Sequence, residues 1–378
     1  MIPFIDLKTQ YARLKDDIDT RIHAVLDGGQ YVMGPAVTAF EEELCAYTGA
    51  RNAISCSSGT DALFMPLLAM GVGAGDAVFV PSFTYTSTAE AILLAGAAPV
   101  FVDVDPGTFL IDMDDLRAKI AQTRAAGRLT PRVIMPVDLF GQPADYAALN
   151  ALAREEDLKI VADAAQAFGA RKGGTMVGAM TDITSTSFYP SKPLGCYGDG
   201  GAIFTDDDAL ADVLRSVRSH GKGAHKYDVV RVGVNGRLDS IQAAVLSSKL
   251  SIFEDELASR ERVAQRYDAA LAEVVRVPAR VSDSRSVWAQ YTIRTTERER
   301  LQAGCKERSV PTMVFYPVPM HLQPAYSAYG DGEGSLPASE QAAREVVSLP
   351  MNPYLSETQV DAVCDAIRDA LSVAQLAE

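Results

Sequence analysis

The chain has 378 residues, 48% of them hydrophobic and 22% charged, which excludes a disordered or fibrous protein and leaves room for two structural units, or for one large α/β unit with an appendage. A formal net charge of −14 excludes ordinary nucleic-acid binding, because duplex affinity comes from Lys and Arg neutralising phosphates; an anionic substrate would have to be held by a few locally placed cations. The five cysteines, Cys45, Cys56, Cys196, Cys305 and Cys364, form no Cys-x-x-Cys and have no nearby histidine pair, so neither a disulfide framework nor a metal site is expected, and a reducing cytoplasm fits.

The opening stretch MIPFIDLKTQYARLKDD has acidic residues and no apolar segment of signal-peptide type. The longest charge-free apolar runs, such as residues 91–102, are too short to cross a bilayer, so neither export nor a membrane is expected. Helices are predicted at residues 11–26 and 36–47. From about residue 50 to 205 short β-rich runs (NAISCSS, DAVFVPS, PVFVDVD, PRVIMPVDLF, KIVADAA, ITSTSFY, GGAIFT) alternate with helix-period stretches (TSTAEAILLAGA, DMDDLRAKIAQTR, ADYAALNALAREED). Strands with little apolar/polar alternation, joined by helices, predict an α/β fold with a mostly parallel central sheet covered on both faces. A long amphipathic segment follows at residues 240–274. Then come a strand at VWAQYTIRT, a helix at ERERLQAGCKERS, a strand at PTMVFYP, a Gly- and Pro-rich exposed loop at 324–337, and a C-terminal helix from Ser356. These predict a large domain over residues 1–250 and a smaller α+β domain over 251–378.

Three stretches carry candidate chemistry. In SSGTDAL, residues 57–63, small residues at a strand-to-helix turn leave backbone N–H groups open at a helix N-terminus, and Gly59 and Thr60 would donate to a phosphate. The same residues also suit an ordinary helix cap, with Ser58 or Thr60 capping and Asp61 in the first turn. In KIVADAAQAFGA, Asp163 ends an apolar strand, where open α/β sheets place their ligands; it would either cap the next helix or meet a cationic ligand atom. In SFYPSKPLGCYGDGGAIFT, Pro190 and Pro193 hold the loop around Lys192 out of helix and ladder geometry. A lysine in a partly desolvated site has a lowered pKa, and its neutral amine can attack a carbonyl, although most loop lysines are simply solvated. A phosphate cup, a strand-end acid and a buried amine are together what pyridoxal 5'-phosphate (PLP) requires.

The ordered segments FIDLKTQY, GGQYVMGP, SSGTDAL, VPSFTYTSTAEAI, PVFVDVDPGTF, VADAAQAFGA, SFYPSKPLGCYGDGGAIFTDD, RSHGKG, GVNGRLDSIQAAVLSSKL and VFYPVPMHLQP resemble, across almost the whole chain, the DegT/DnrJ family of PLP-dependent sugar aminotransferases. The resemblance implies the aspartate aminotransferase fold (PLP fold type I). It makes Lys192 the Schiff-base lysine and proton shuttle, Asp163 the partner of the pyridine nitrogen, and Gln166 a contact to the ring or its 3-hydroxyl. Gly59, Thr60 and Ser187 become phosphate ligands and Tyr85 the ring-stacking aromatic. Asn235 is implied to reach the phosphate of a neighbouring subunit, hence a homodimer with a shared active site. The wording is most similar to the branch that aminates a UDP-linked 3-oxo-N-acetylglucosaminuronate with glutamate as donor, for bacterial surface polysaccharide. Other 3-keto or 4-keto-6-deoxy nucleotide sugars are the alternative substrates. Arg237 could grip a sugar carboxylate or could pair structurally with Asp239 or another acid. Tyr316 and His321 match a substrate-reaching segment, with a packed loop histidine as the other reading of His321.

Two competing functions are weaker. A nicotinamide oxidoreductase lacks its Gly-x-Gly-x-x-Gly, for GVGAGD at residues 71–76 follows a helix instead of a strand. A non-catalytic regulator on the same fold would not need Lys192, Asp163 and Gln166 together, and the lysine also separates the chain from family dehydratases that lack it.

Overall fold

The computed structural model describes residues 2–225 and 227–372, with twelve α-helices and twelve strands among them. The helices are α1 (Leu7–Gly28), α2 (Pro35–Thr48), α3 (Gly59–Ala69), α4 (Thr86–Leu94), α5 (Met113–Ala126), α6 (Tyr146–Glu155), α7 (Asp208–Val217), α8 (Ser240–Leu250), α9 (Phe253–Leu271), α10 (Arg298–Glu307), α11 (Pro337–Glu345) and α12 (Glu357–Ser372). The strands are β1 (Asn52–Cys56), β2 (Asp76–Pro81), β3 (Ala98–Val102), β4 (Thr130–Ile134), β5 (Lys159–Asp163), β6 (Arg171–Lys172), β7 (Thr175–Met176), β8 (Ile183–Ser187), β9 (Gly201–Thr205), β10 (Ser284–Arg285), β11 (Tyr291–Arg294) and β12 (Val346–Leu349).

The helix ends follow local chemistry. Asp6 accepts from Thr9 N at 2.9 Å and starts α1 a turn before the predicted position, and Gly29, at φ 64°, ends it. Pro35 opens α2 where no N–H is missed.

Seven strands form one sheet in the order β1-β9-β8-β5-β4-β2-β3. Strand β9 runs antiparallel to both neighbours, and the remaining pairs are parallel. Because two reversals cancel, β1 points the same way as β8, β5, β4, β2 and β3. Six C-terminal strand ends therefore share one edge, where ligands collect in such sheets. Alternate residues serve opposite faces: Val78, Val80 and Ile203 pack with α3, α4 and α7, whereas Phe79, Ile134 and Ile160 pack with α5 and α6. Phe204 turns toward Phe40, Phe168 and Phe188 beneath α2 and α8. A separate core gathers Tyr267, Trp288, Tyr291, Ile293, Leu301, Val347, Val363 and Ile367. Helix α9 belongs to both cores, through Phe253 and Leu257 at its start and Tyr267 and Leu271 at its end.

Three expectations change in the C-terminal half. Residues 240–274 form two helices, broken at Ser251 and Ile252. PTMVFYP is not a strand: only Met313 bridges, to Ser348, and the flanking Pro311 and Pro317 have no N–H to give a ladder. The partner of β11 is instead β12, which pairs antiparallel with it. The predicted loop at 324–337 begins with a 3-10 turn, Pro324–Tyr329, anchored by buried Tyr326, whose hydroxyl bonds Thr86 Oγ1.

Phe204 is fully buried and stacks on Phe168 with centroids 6.0 Å apart. Phe204→Ala should lower unfolding free energy by about 3–5 kcal/mol in urea titration; a loss below ~1 kcal/mol would mean that this face of the sheet is not close-packed.

Candidate active site

Residues from four strand ends meet at the shared edge. Asp163 closes β5 and is 5% exposed. Its Oδ2 accepts from Thr88 Oγ1 at 2.8 Å and its Oδ1 from Ala165 N at 3.1 Å. Burial pushes this carboxyl above the usual range, while the Thr88 and Ala165 bonds and the charge of Lys192 pull it back. Lys192 is partly exposed as a residue, but its amine is surrounded by protein, and burial pushes it below the ordinary lysine range against the opposing pull of Asp163. A desolvated amine within electrostatic reach of a desolvated carboxyl is the electrostatic centre of the site. The loop sets its direction: Lys192 N donates to Tyr189 O and Cys196 N to Phe188 O, each at 2.8 Å.

The phosphate cup lies beside it. Ser58 caps α3, its Oγ accepting from Asp61 N at 3.0 Å, so the capping role falls to Ser58 and not to Thr60. Helix geometry then leaves the Gly59 and Thr60 N–H groups without an intrahelical acceptor, at the positive end of the dipole. A Cβ on Gly59 would sit 2.6 Å from Ser187 Cβ, so only glycine lets the helix start touch the end of β8. Ser187 Oγ accepts from Tyr189 N at 3.2 Å, which leaves its O–H able to donate to an anion.

Tyr85 immediately precedes α4 and is 54% exposed, its ring 5.8 Å from the ring of Tyr316. Gln166 is fixed at both ends: Oε1 accepts from Phe140 N at 2.7 Å and Nε2 donates to Tyr316 Oη at 3.1 Å. Burial pushes the Tyr316 phenol up, reinforced by the charge of Asp163.

The structure thus joins Gly59, Thr60, Tyr85, Asp163, Gln166, Ser187, Lys192 and Tyr316. Asn235 and Arg237 lie on a loop tied by Gly236, which accepts from Ser57 N at 3.1 Å and donates to Arg218 O at 3.0 Å. Among the described residues they make no hydrogen bond to the others. The Asn235 side chain is exposed, and Arg237 has no ion pair with Asp239; its Nε is buried without a partner. His321 stands apart, and here the substrate-contact expectation is corrected. Its side chain is wholly buried, with Nδ1 2.6 Å from Ser82 Oγ and Nε2 3.2 Å from Glu340, so neither nitrogen is open to a ligand.

Sequence reasoning missed Thr88 and Asp138. A cluster of hydroxyl residues at the start of a helix leaving the ligand edge was the available signal for Thr88. Asp138 follows β4, wholly buried; its Oδ1 accepts from Ala144 N and Tyr146 Oη, both at 2.8 Å, and burial pushes it up to about 7. Asp138 N donates to Asp163 O at 2.9 Å, so the two acids are neighbours in the backbone ladder.

The sign of the Lys192–Asp163 coupling gives a test. The carboxylate favours the ammonium, so Asp163→Asn leaves desolvation unopposed and should lower the Lys192 midpoint further. Competitive acylation of the cofactor-free protein across pH should place the wild-type midpoint below 10.5 and the variant lower still; a rise in the variant would contradict this geometry.

The DegT/DnrJ/EryC1/StrS aminotransferase family model matches residues 12–368. The chain is 48% identical to the UDP-2-acetamido-2-deoxy-3-oxo-D-glucuronate aminotransferase of Pseudomonas aeruginosa over 97% of this chain and 99% of that one. Among solved structures it is similar to a DegT DnrJ EryC1 StrS aminotransferase from Brucella abortus (TM-score 0.96, 49% identity, 98% of this chain and 100% of that one). It is also similar to DesV of S. venezuelae in complex with a ketimine intermediate (TM-score 0.93, 41% identity, 97% and 98% covered). The architecture is that of PLP fold type I, and the residues gathered at the sheet edge fit the cofactor: an anion cup, a buried acid and a buried amine. The chain belongs to the DegT/DnrJ/EryC1/StrS aminotransferases, a family of PLP-dependent sugar aminotransferases.

Proposed function

We propose that this aminotransferase moves an amino group from glutamate to a UDP-linked 3-oxo-N-acetylglucosaminuronate, with Lys192 as the amine that bonds the cofactor and later carries the proton. The observation that carries the assignment of Lys192 is its desolvated amine, electrostatically coupled to Asp163 at the sheet edge that also bears the α3 cup. When bound, PLP supplies an aldehyde for amines and a ring that accepts electrons. Asp163 would keep a proton on the ring nitrogen, and Thr88, which donates to its Oδ2, holds the carboxylate in place for that role. Gly59, Thr60 and Ser187 would hold the phosphate, Tyr85 would cover one ring face, and Gln166, locked by Phe140 and Tyr316, would lie against the ring or its hydroxyl. Once a donor amine had replaced it, the Lys192 Nζ would be free to take a proton from the substrate carbon and hand it back, and burial, by pushing the amine below the ordinary lysine range, would suit it to act as a base. Tyr316 borders the substrate side.

The activity of the Pseudomonas aeruginosa relative, a UDP-2-acetamido-2-deoxy-3-oxo-D-glucuronate aminotransferase, supports the uronate substrate. So does Arg237, whose partnerless buried Nε is a donor in want of an anion. Exposed apolar residues flank Asn235 on the same surface, with Val229, Val230 and Val232 each more than half exposed. A second copy covering them would form a homodimer and bring Asn235 to the partner's phosphate. A cytoplasmic place in surface-polysaccharide or lipopolysaccharide synthesis accords with five unpaired cysteines and with no described helix long and apolar enough to cross a membrane.

The pyridoxamine form, offered a panel of keto-sugar nucleotides, should react fastest with the UDP-linked 3-oxo uronate. Arg237→Ala should lose about 2–5 kcal/mol for uronates and little for neutral sugars; equal losses would remove the carboxylate contact. Mixing Lys192→Ala and Asn235→Ala chains, each inactive alone, should restore activity if Asn235 acts across the interface. No recovery in mixed dimers would place Asn235 in its own subunit's site.

A further inference from the structure

Lys249, on α8, is fully buried, yet among the described residues it has no carboxylate within ion-pair distance. Its Nζ donates to Gly195 O at 2.5 Å and lies 4.2 Å from the centroid of the Tyr197 ring. Burial pushes the amine down to about 8, with Cys196 and Glu256 pulling the other way. Glu256 is committed elsewhere: both its oxygens accept from Gln10 Nε2, at 3.1 and 3.0 Å, and one also accepts from Tyr354 Oη. A buried ammonium without a counter-ion is a poor source of stability, since desolvation costs more than one carbonyl and one ring return. Its contacts therefore call for another role, and all of them fall on the loop that carries Lys192.

That loop is pinned at its base and tight at its tip. Phe188 N donates to Gly200 O and Cys196 N to Phe188 O, both at 2.8 Å, which leaves residues 189–195 as an excursion bearing Lys192. Gly195 has no room for a side chain, since a Cβ there would meet Pro190 O at 2.6 Å and Tyr189 O at 2.7 Å. Its carbonyl is the point at which the excursion returns, three residues after Lys192, and Lys249 holds that carbonyl. Gln242, seven residues earlier and so on the same face of α8, accepts from Tyr197 N through Oε1 at 2.8 Å. One helix face thus grips the returning limb twice, at Gly195 and at Tyr197.

We propose that Lys249 is a positioning residue for Lys192: its buried ammonium, with Gln242 beside it, clamps the returning limb of the loop and so aims the reactive amine. This rests on the assignment of Lys192 as the amine that bonds PLP. That assignment has its own check, because Lys192→Ala should abolish the visible band of the lysine-bound cofactor and should yield no borohydride-fixed label. Persistence of both would sink the assignment and the clamp together.

The test uses Lys249→Met, Lys249→Arg and Gln242→Leu with two readouts: amide hydrogen exchange across residues 188–200 in the cofactor-free protein, and the PLP dissociation constant from spectral titration. Lys249→Met should speed exchange at the Lys192 and Cys196 amides tenfold or more while β5 and α12 keep wild-type protection, and should weaken PLP binding tenfold or more. Lys249→Arg should recover part of both. If exchange in the loop and PLP affinity stay within twofold of wild type, the clamp is wrong, even if the melting temperature falls. Should Lys249→Met not be recovered folded, Gln242→Leu decides by the same readouts: faster exchange at Tyr197 with weaker PLP binding supports the clamp, and wild-type values overturn it.

Discussion

The site depends on two groups that burial pushes toward neutrality in opposite senses. Asp163 resists losing its proton and Lys192 resists keeping one, and the charge of each favours the charged form of the other. Left in water, the acid would be an ordinary carboxylate and the lysine an ordinary cation, with no reason to meet a carbonyl or a ring nitrogen. Desolvation makes the amine nucleophilic and leaves the acid wanting a cationic N–H. The sheet supplies that desolvation: β5 ends between β4 and β8, under the first turn of α4 and beside the Lys192 loop.

Helix α4 is the organiser of this edge. Three consecutive residues of its first turn, spread around the helix by about 100° each, bond three different elements. Thr86 reaches Tyr326 in the C-terminal segment, Ser87 lies 3.0 Å from Thr60 in the phosphate cup, and Thr88 holds Asp163. A shift of this one turn would move the acid and the cup together. On the far side of the cup, Arg218 bonds Ser55 O at 2.8 Å, pairs with Glu41, and through its carbonyl holds the Asn235–Arg237 loop. The candidate substrate loop and the end of β1 therefore share one buried support.

Much of this was legible in the sequence because it is local. The seven strands of the main sheet, the helix start at SSGT, the strand-end Asp163 and the proline-framed Lys192 each announce themselves within a few residues. What escaped was set by tertiary packing. PTMVFYP has strand-like residues, but its prolines and the register of β11 with β12 left it only one bridge. His321 and Glu340 meet across a turn and a helix that no periodicity relates, and the pair turned a candidate ligand-binding histidine into a core residue. Thr88 was visible only as part of a helix start, since its partner lies 75 positions away. Arg237 looked able to pair with Asp239, yet the fold keeps the two apart and leaves the guanidinium Nε without a partner.

The most direct measurement is the protonation of the bound cofactor's ring nitrogen, read by NMR from PLP labelled with nitrogen-15 in the reconstituted protein. The account predicts a protonated nitrogen in the wild type at pH 8 and an unprotonated one in Asp163→Asn. An unprotonated nitrogen in the wild type, or one indifferent to the substitution, would contradict it.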